Sequence, residues 1–272
     1  MRRVLIALLL AGCSTAPSGV PGDPTLSRLR HAGDIAFQLE QPDQAAEQYR
    51  AALVRARVRD DAAAIADAGF NLATAELQAG KPEDALRTAA ELRTELARRG
   101  IADAGFDLIS ATAQFRLGNL PEADRIAAGL TGDKDPALGN AAWFLIGLIA
   151  DDRGDRPGLE KAVASMTAAA DPADVAELRA RLSHDPVLAL HAADLRRDQL
   201  DYRGMARALA LAAQLTPSAP QAADLYLRAG QSASGQHDAA EARIWLGKAR
   251  DLTHDPALRG DAERALRRLT AR

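Results

Sequence analysis

Ala66-Asp67-Ala68-Gly69-Phe70 recurs letter for letter as Ala102-Asp103-Ala104-Gly105-Phe106, 36 residues later. A second pair, Ala73-Thr74-Ala75-Glu76-Leu77 and Ala111-Thr112-Ala113-Gln114-Phe115, is 38 residues apart, so one segment has slipped by two. Both pairs run into the same punctuation, Gly80-Lys81-Pro82-Glu83-Asp84-Ala85 and Gly118-Asn119-Leu120-Pro121-Glu122-Ala123. Self-similarity at a fixed period of this length marks a repeat array, and a glycine in mid-period is the turn of a helical hairpin.

Composition agrees. Of 272 residues, 47% are apolar but only 4% aromatic, and 62 alanines make up nearly half of the apolar set. Three Tyr, two Trp and five Phe are few for a β-sandwich or barrel. Alanine is the strongest helix former and lets helices approach closely, which predicts an all-α chain of tightly packed helices. A net charge of −3 with both signs interspersed leaves no footprint for nucleic acid. One cysteine excludes an intramolecular disulfide framework and a multi-cysteine zinc site.

The pattern resembles the tetratricopeptide repeat, a pair of antiparallel helices recurring about every 34 residues. That family sets a small residue midway along the first helix and Gly at the turn. Ala, a bulky residue four later and a small or apolar residue three after that then follow. Gly33…Ala45-x3-Tyr49-x2-Ala52 fits, with Glu40 in place of the turn Gly. Ala73…Gly80…Ala85-x3-Ala89-x2-Leu92 and Ala111…Gly118…Ala123-x3-Ala127-x2-Leu130 fit as well. Trp143-x2-Ile146-Gly147…Gly154 opens a fourth unit, with Leu159 in place of its Ala. Ala193…Met205-x3-Leu209-x2-Ala212 gives a fifth and Gly230…Ala242-x3-Leu246-x2-Ala249 a lengthened sixth. The resemblance implies a right-handed superhelical solenoid of about six antiparallel helix pairs, with repeats 1–4 over residues 26–170 and repeats 5–6 over 186–252. Asp-Pro occurs at 23–24, 135–136, 171–172, 185–186 and 255–256. Asp caps a first helical turn and Pro tolerates the first helical position, so these dipeptides mark helix starts. A short helix is expected to be inserted over 171–185, and an Arg-rich amphipathic capping helix over 253–272.

The N-terminus reads Met1-Arg2-Arg3, then the apolar run Val4 to Ala11, then Gly12-Cys13. A charged start and a short apolar stretch form a secretory signal, too short for a permanent span. Leu10-Ala11-Gly12-Cys13 resembles the lipobox of bacterial lipoproteins, which implies a signal peptide over 1–12 and lipidation of Cys13. Ser14 behind that cysteine resembles the outer-membrane default, which implies a periplasm-facing anchor. Residues 13–25, rich in Pro, Gly and Ser, read as a flexible tether.

No catalytic constellation emerges. Gly-x-Ser-x-Gly, Ser-x-x-Lys and His-Glu-x-x-His are missing from the sequence. His191 and Asp194 share a helix face, but one His and one Asp leave a metal short of ligands. Asp60-Asp61 and Asp151-Asp152 lie in or beside turns and read as solvated charge. The chain therefore reads as a non-enzyme with no cofactor, metal or small-molecule substrate. The family's groove-facing positions fall on Phe37; on Phe70, Thr74 and Leu77; on Leu108, Thr112, Phe115 and Arg116; and on Phe144, Leu148 and Asp151. Four of the five phenylalanines are in this set, as a track for a partner peptide. The alternative is that each packs as core against the next helix. The chain resembles repeat lipoproteins that assist envelope assembly, in pilus or secretion machinery or outer-membrane protein insertion. The implied role is an adaptor that binds a segment of an envelope protein. A structural spacer without a groove, or an envelope hydrolase, are the rival readings.

Overall fold

The structure, a computed structural model, describes residues 22–236 and 238–270. The expected signal peptide, Cys13 and most of the tether lie outside the described residues, as does His237. Among the described residues there are fourteen α-helices and no strand, so the chain is all-α. It divides into two compact units between Leu145 and Ile146.

The first unit holds α1 (Pro24–Gln38), α2 (Pro42–Val58), α3 (Ala62–Gln78), α4 (Pro82–Ala97), α5 (Gly105–Arg116), α6 (Leu120–Ala128) and the start of α7 (Pro136–Asp152). The second holds the rest of α7 with α8 (Arg156–Ser165), α9 (Pro172–Ser183), α10 (Pro186–Asp198), α11 (Tyr202–Leu215), α12 (Ala219–Gly235), α13 (Ala239–Leu252) and α14 (Pro256–Thr270). Within each unit, helices adjacent in sequence pack on one another across turns of a few residues, as antiparallel hairpins do.

Local chemistry places the helix ends. All five aspartates of the Asp-Pro pairs cap a helix: Asp23, Asp135, Asp171, Asp185 and Asp255 each accept a first-turn N–H at 2.7–2.9 Å. Because Asp23 caps and Pro24 occupies the first helical position, α1 begins inside the stretch expected to be tether. The turn inside five of the hairpins is left-handed at the same place: Glu40, Gly80, Gly118, Gly154 and Leu200 all have φ between 57° and 77°. Glycine takes this conformation without steric cost, whereas Glu40 and Leu200 take it at a cost.

Packing follows small-against-large complementarity. Gly33 of α1 faces Tyr49 of α2, and Gly230 of α12 faces Leu246 of α13; a Cβ on either glycine would stand 2.5–2.6 Å from that side chain. Where the second helix carries alanine instead, the first does too: Ala73 with Ala89 and Ala111 with Ala127, all fully buried. The large side chain of α4 is then Leu92, and it fills the space left by Gly69 of α3. The C-terminal helix α14 buries Ala262 and Leu269 against the second unit's core and turns its arginines to solvent.

The two copies of Ala-Asp-Ala-Gly-Phe are not structurally equivalent. The first lies wholly inside α3, while the second straddles the start of α5. Asp67 sits on a helix surface; Asp103 precedes the helix and accepts the Gly105 N–H at 2.9 Å. Measured from the preceding left-handed residue, Asp60 or Gly100, the second copy begins four residues earlier. α5 has 12 residues where α3 has 17.

Candidate functional site

In the first unit, α1, α3 and α5 are the leading helices of successive hairpins, and their shared face is the candidate site. On α1 it carries Arg30, Asp34 and Phe37, spaced i, i+4, i+7. On α3 it carries Asp67, Phe70, Asn71 and Thr74, and on α5 Leu108, Thr112, Phe115 and Arg116. Polar contacts hold the three helices side by side. Arg30 Nε lies 2.8 Å from Asp67 Oδ2, joining α1 to α3. Arg116 donates through Nη1 to the Leu77 carbonyl, joining α5 to α3. Phe70 and Phe106 meet edge-on with centroids 6.0 Å apart.

The predicted groove residues separate into two groups. Phe37, Phe70, Leu108, Phe115 and Phe144 are half-buried, with Phe37 and Phe70 resting on the core. Leu77, at 7% exposure, is a core residue, and so is Leu148 at 4%. This corrects the sequence expectation for both. Leu77 stands at the end of α3 where α5 is tied down over it by Arg116, so a face position by spacing becomes a core position by packing. Phe106, the one phenylalanine outside the predicted set, is fully buried.

The charged groups of this face have defined environments. Tyr49 of α2 is buried and donates its hydroxyl to Asp34 Oδ1 at 2.8 Å. Burial, reinforced by the bond to Asp34, pushes the Tyr49 hydroxyl well above the usual phenol range. Burial also raises the Asp67 carboxyl; the Arg30 guanidinium counters this and the Asp34 charge adds to it. Among the described residues no cation pairs with Asp34.

A second polar cluster, missed in the sequence, lies in the second unit. Glu177 of α9 is fully buried. Its carboxylate takes a forked pair of bonds from Arg207 of α11 at 2.7 and 2.9 Å and one from Arg181 at 3.1 Å, with Arg196 of α10 at 3.7 Å. Arg196 also reaches Asp174 and Asp201, and Arg181 reaches Asp151 of α7. Burial alone would raise the Glu177 carboxyl, but the guanidiniums, Arg207 foremost, hold it at about 2. Burial dominates at Asp174 and lifts it to about 6 despite Arg196. The Glu177 carboxylate is surrounded by guanidiniums, so the cluster ties α7, α9, α10 and α11 together. Only Glu177–Arg181, at i, i+4 on one helix, could have signalled it in the sequence.

Other acidic pairs have structural partners. Asp60 takes Arg99 at 2.6 Å and Asp61 caps α3. Asp194, paired in sequence with the exposed His191, instead holds Arg197 at 2.8 Å. Among the described residues no group of His, Cys, Asp and Glu has a geometry able to hold a metal ion.

No family model and no curated protein sequence matches the chain. Among solved structures it is similar to a tetratricopeptide repeat protein from Parabacteroides merdae, at 17% identity and a TM-score of 0.47, over 92% of this chain and 100% of that one. It is also similar to the TPR2AB-domain:pHSP90 complex of yeast Sti1, at 16% identity and a TM-score of 0.33, over the same shares.

Proposed function

We propose that the chain is a membrane-tethered adaptor that takes up a segment of another envelope protein on the face shared by α1, α3 and α5. The observation that carries the docking half is that Phe37, Phe70, Leu108 and Phe115, on the leading helices of three successive hairpins, are all half-buried rather than closed into the core. Side chains that rest on a core while keeping an open edge can gain from a partner's apolar groups without refolding. A polar, uniformly charged face would instead have suited a spacer.

The tether rests on sequence: the Arg2-Arg3 start, the run Val4 to Ala11, and Gly12-Cys13. A lipid on Cys13 would hold the array at the outer membrane, facing the periplasm, where it would serve pilus or secretion-pore assembly or outer-membrane protein insertion. A non-enzymatic role is part of the same reading, because the acidic pairs are committed to caps and ion pairs.

Crosslinking in cells, followed by purification of the full-length chain, tests the docking half. A discrete partner should be retained by the wild type and by Asp43→Asn, and lost with Leu108→Asp and Phe115→Asp; retention in all four would refute it. The tether is tested separately by Cys13→Ser, which should abolish labelling by a palmitate analogue and move the chain out of the membrane fraction. An unchanged distribution would refute the anchor.

A further inference from the structure

Charge is distributed unevenly along the chain. Residues 22–145 carry 14 Lys and Arg against 19 Asp and Glu, while residues 146–272 carry 18 of each. The candidate face lies in the acidic unit. Its two arginines are already engaged: Arg30 by Asp67, and Arg116, at the α5 end, by the Leu77 carbonyl. Asp34, at the α1 end, is held in place by the buried Tyr49 hydroxyl and has no cationic partner among the described residues. A fixed carboxylate beside an exposed apolar edge is complementary to a cation carried next to an apolar residue, because neither group must reorganise to meet it.

Building on the docking reading above, we propose that the segment received on this face is cationic as well as apolar. A Lys or Arg of the partner seats against Asp34, while flanking apolar side chains lie over Phe37, Leu108 and Phe115. Arg116 sets the polarity, so the cation belongs at the α1 end. A C-terminal carboxylate is the wrong occupant, since Asp34 repels it.

Fluorescence anisotropy with the full-length chain in detergent tests this, using three labelled peptides of about 12 residues, enough to cross three helices extended. One alternates Lys with Leu and Phe, the second replaces Lys by Glu, and the third keeps Lys but replaces the apolar residues by Ser. The Lys–Phe peptide should bind at least about tenfold more tightly than either other. Asp34→Asn, whose amide oxygen still accepts the Tyr49 hydroxyl, should weaken it roughly three- to fivefold and flatten its salt dependence. Asp43→Asn, at the exposed α2 pair with Lys81, should change nothing. Equal binding of the Glu peptide, or equal effects of the two Asn variants, would overturn the cationic assignment, and equal binding of the Ser–Lys peptide would overturn the apolar half of the proposal. If Leu108→Ser and Phe115→Ser still weaken the Glu peptide, docking on this face survives and only its charge preference falls. If those two variants affect no peptide, the docking reading itself fails and the inference with it.

Discussion

Gly33→Ala probes the packing rule on which the array depends. A Cβ at Gly33 would stand 2.5 Å from Tyr49 Cε1 and 2.7 Å from Cδ1. The ring cannot flex away: it is rigid, 4% exposed, and anchored through its hydroxyl to Asp34. Overpacking of this kind costs about 1–3 kcal/mol. A rigid ring at 2.5 Å belongs to the upper part of that range, about 2–3 kcal/mol, and alanine's better helix propensity returns roughly 0.8–1 kcal/mol, so the net loss should be about 1–2 kcal/mol. Tyr49→Ala alone empties the space opposite the glycine and should cost about 3–5 kcal/mol. Together, G33A and Y49A rebuild the native Ala73–Ala89 arrangement, in which both residues are fully buried. The double variant should therefore lose at least about 1 kcal/mol less than the sum of the singles. Urea unfolding followed by far-UV circular dichroism reads these differences as midpoint shifts at constant slope. A neutral or stabilising Gly33→Ala, or strict additivity, would show that Gly33 is not needed to admit the Tyr49 ring.

Leu200→Gly should raise stability by about 0.5–1 kcal/mol, because it relieves a left-handed strain of about 1–2 kcal/mol at a residue that is 59% exposed, less glycine's entropic cost; a lower thermal midpoint would show that the turn stores no strain. Asp174 binds its proton at about 6 in the folded chain against 3.8 unfolded, so the folded state holds more protons between those values. Stability should then rise as pH falls from 7.5 towards 5, by on the order of 1–1.5 kcal/mol, and Asp174→Asn should flatten the profile recorded by calorimetry. Glu177 has the opposite sign: its stabilisation is present above 4.5 and lost as pH falls towards about 2. Glu177→Gln leaves three guanidiniums around a neutral amide and should cost about 3–5 kcal/mol at pH 7. A loss well below that range in the same unfolding assay would mean that the cluster is not a tie between helices.

The sequence revealed features whose causes are local. Each Asp-Pro pair announces a cap because the side chain reaches N–H groups only two or three residues away. The turn glycines were visible for the same reason, whereas Glu40 and Leu200 adopt the same conformation with no residue type to betray it. The groove residues were half legible. Spacing puts Leu77 on the same face as Phe70 and Thr74, but whether a face position is open depends on the neighbouring helix, and α5 closes over Leu77. The repeated pentapeptide shows the limit most plainly: identical residues run through the middle of α3 and across the start of α5, the first copy beginning six residues past the left-handed Asp60 and the second only two past Gly100. The Glu177 cluster gathers residues from four helices and has no local pattern beyond one i, i+4 pair.

On the proposal made above, the α1, α3 and α5 face receives a partner segment. Its most direct test is a photoreactive amino acid placed in living cells at position 115, half-buried on that face, and separately at position 58, where Val58 of α2 is 73% exposed. A discrete adduct with one protein from position 115 and none from position 58 is the predicted result. No adduct from position 115, or the same adduct from both positions, would contradict it.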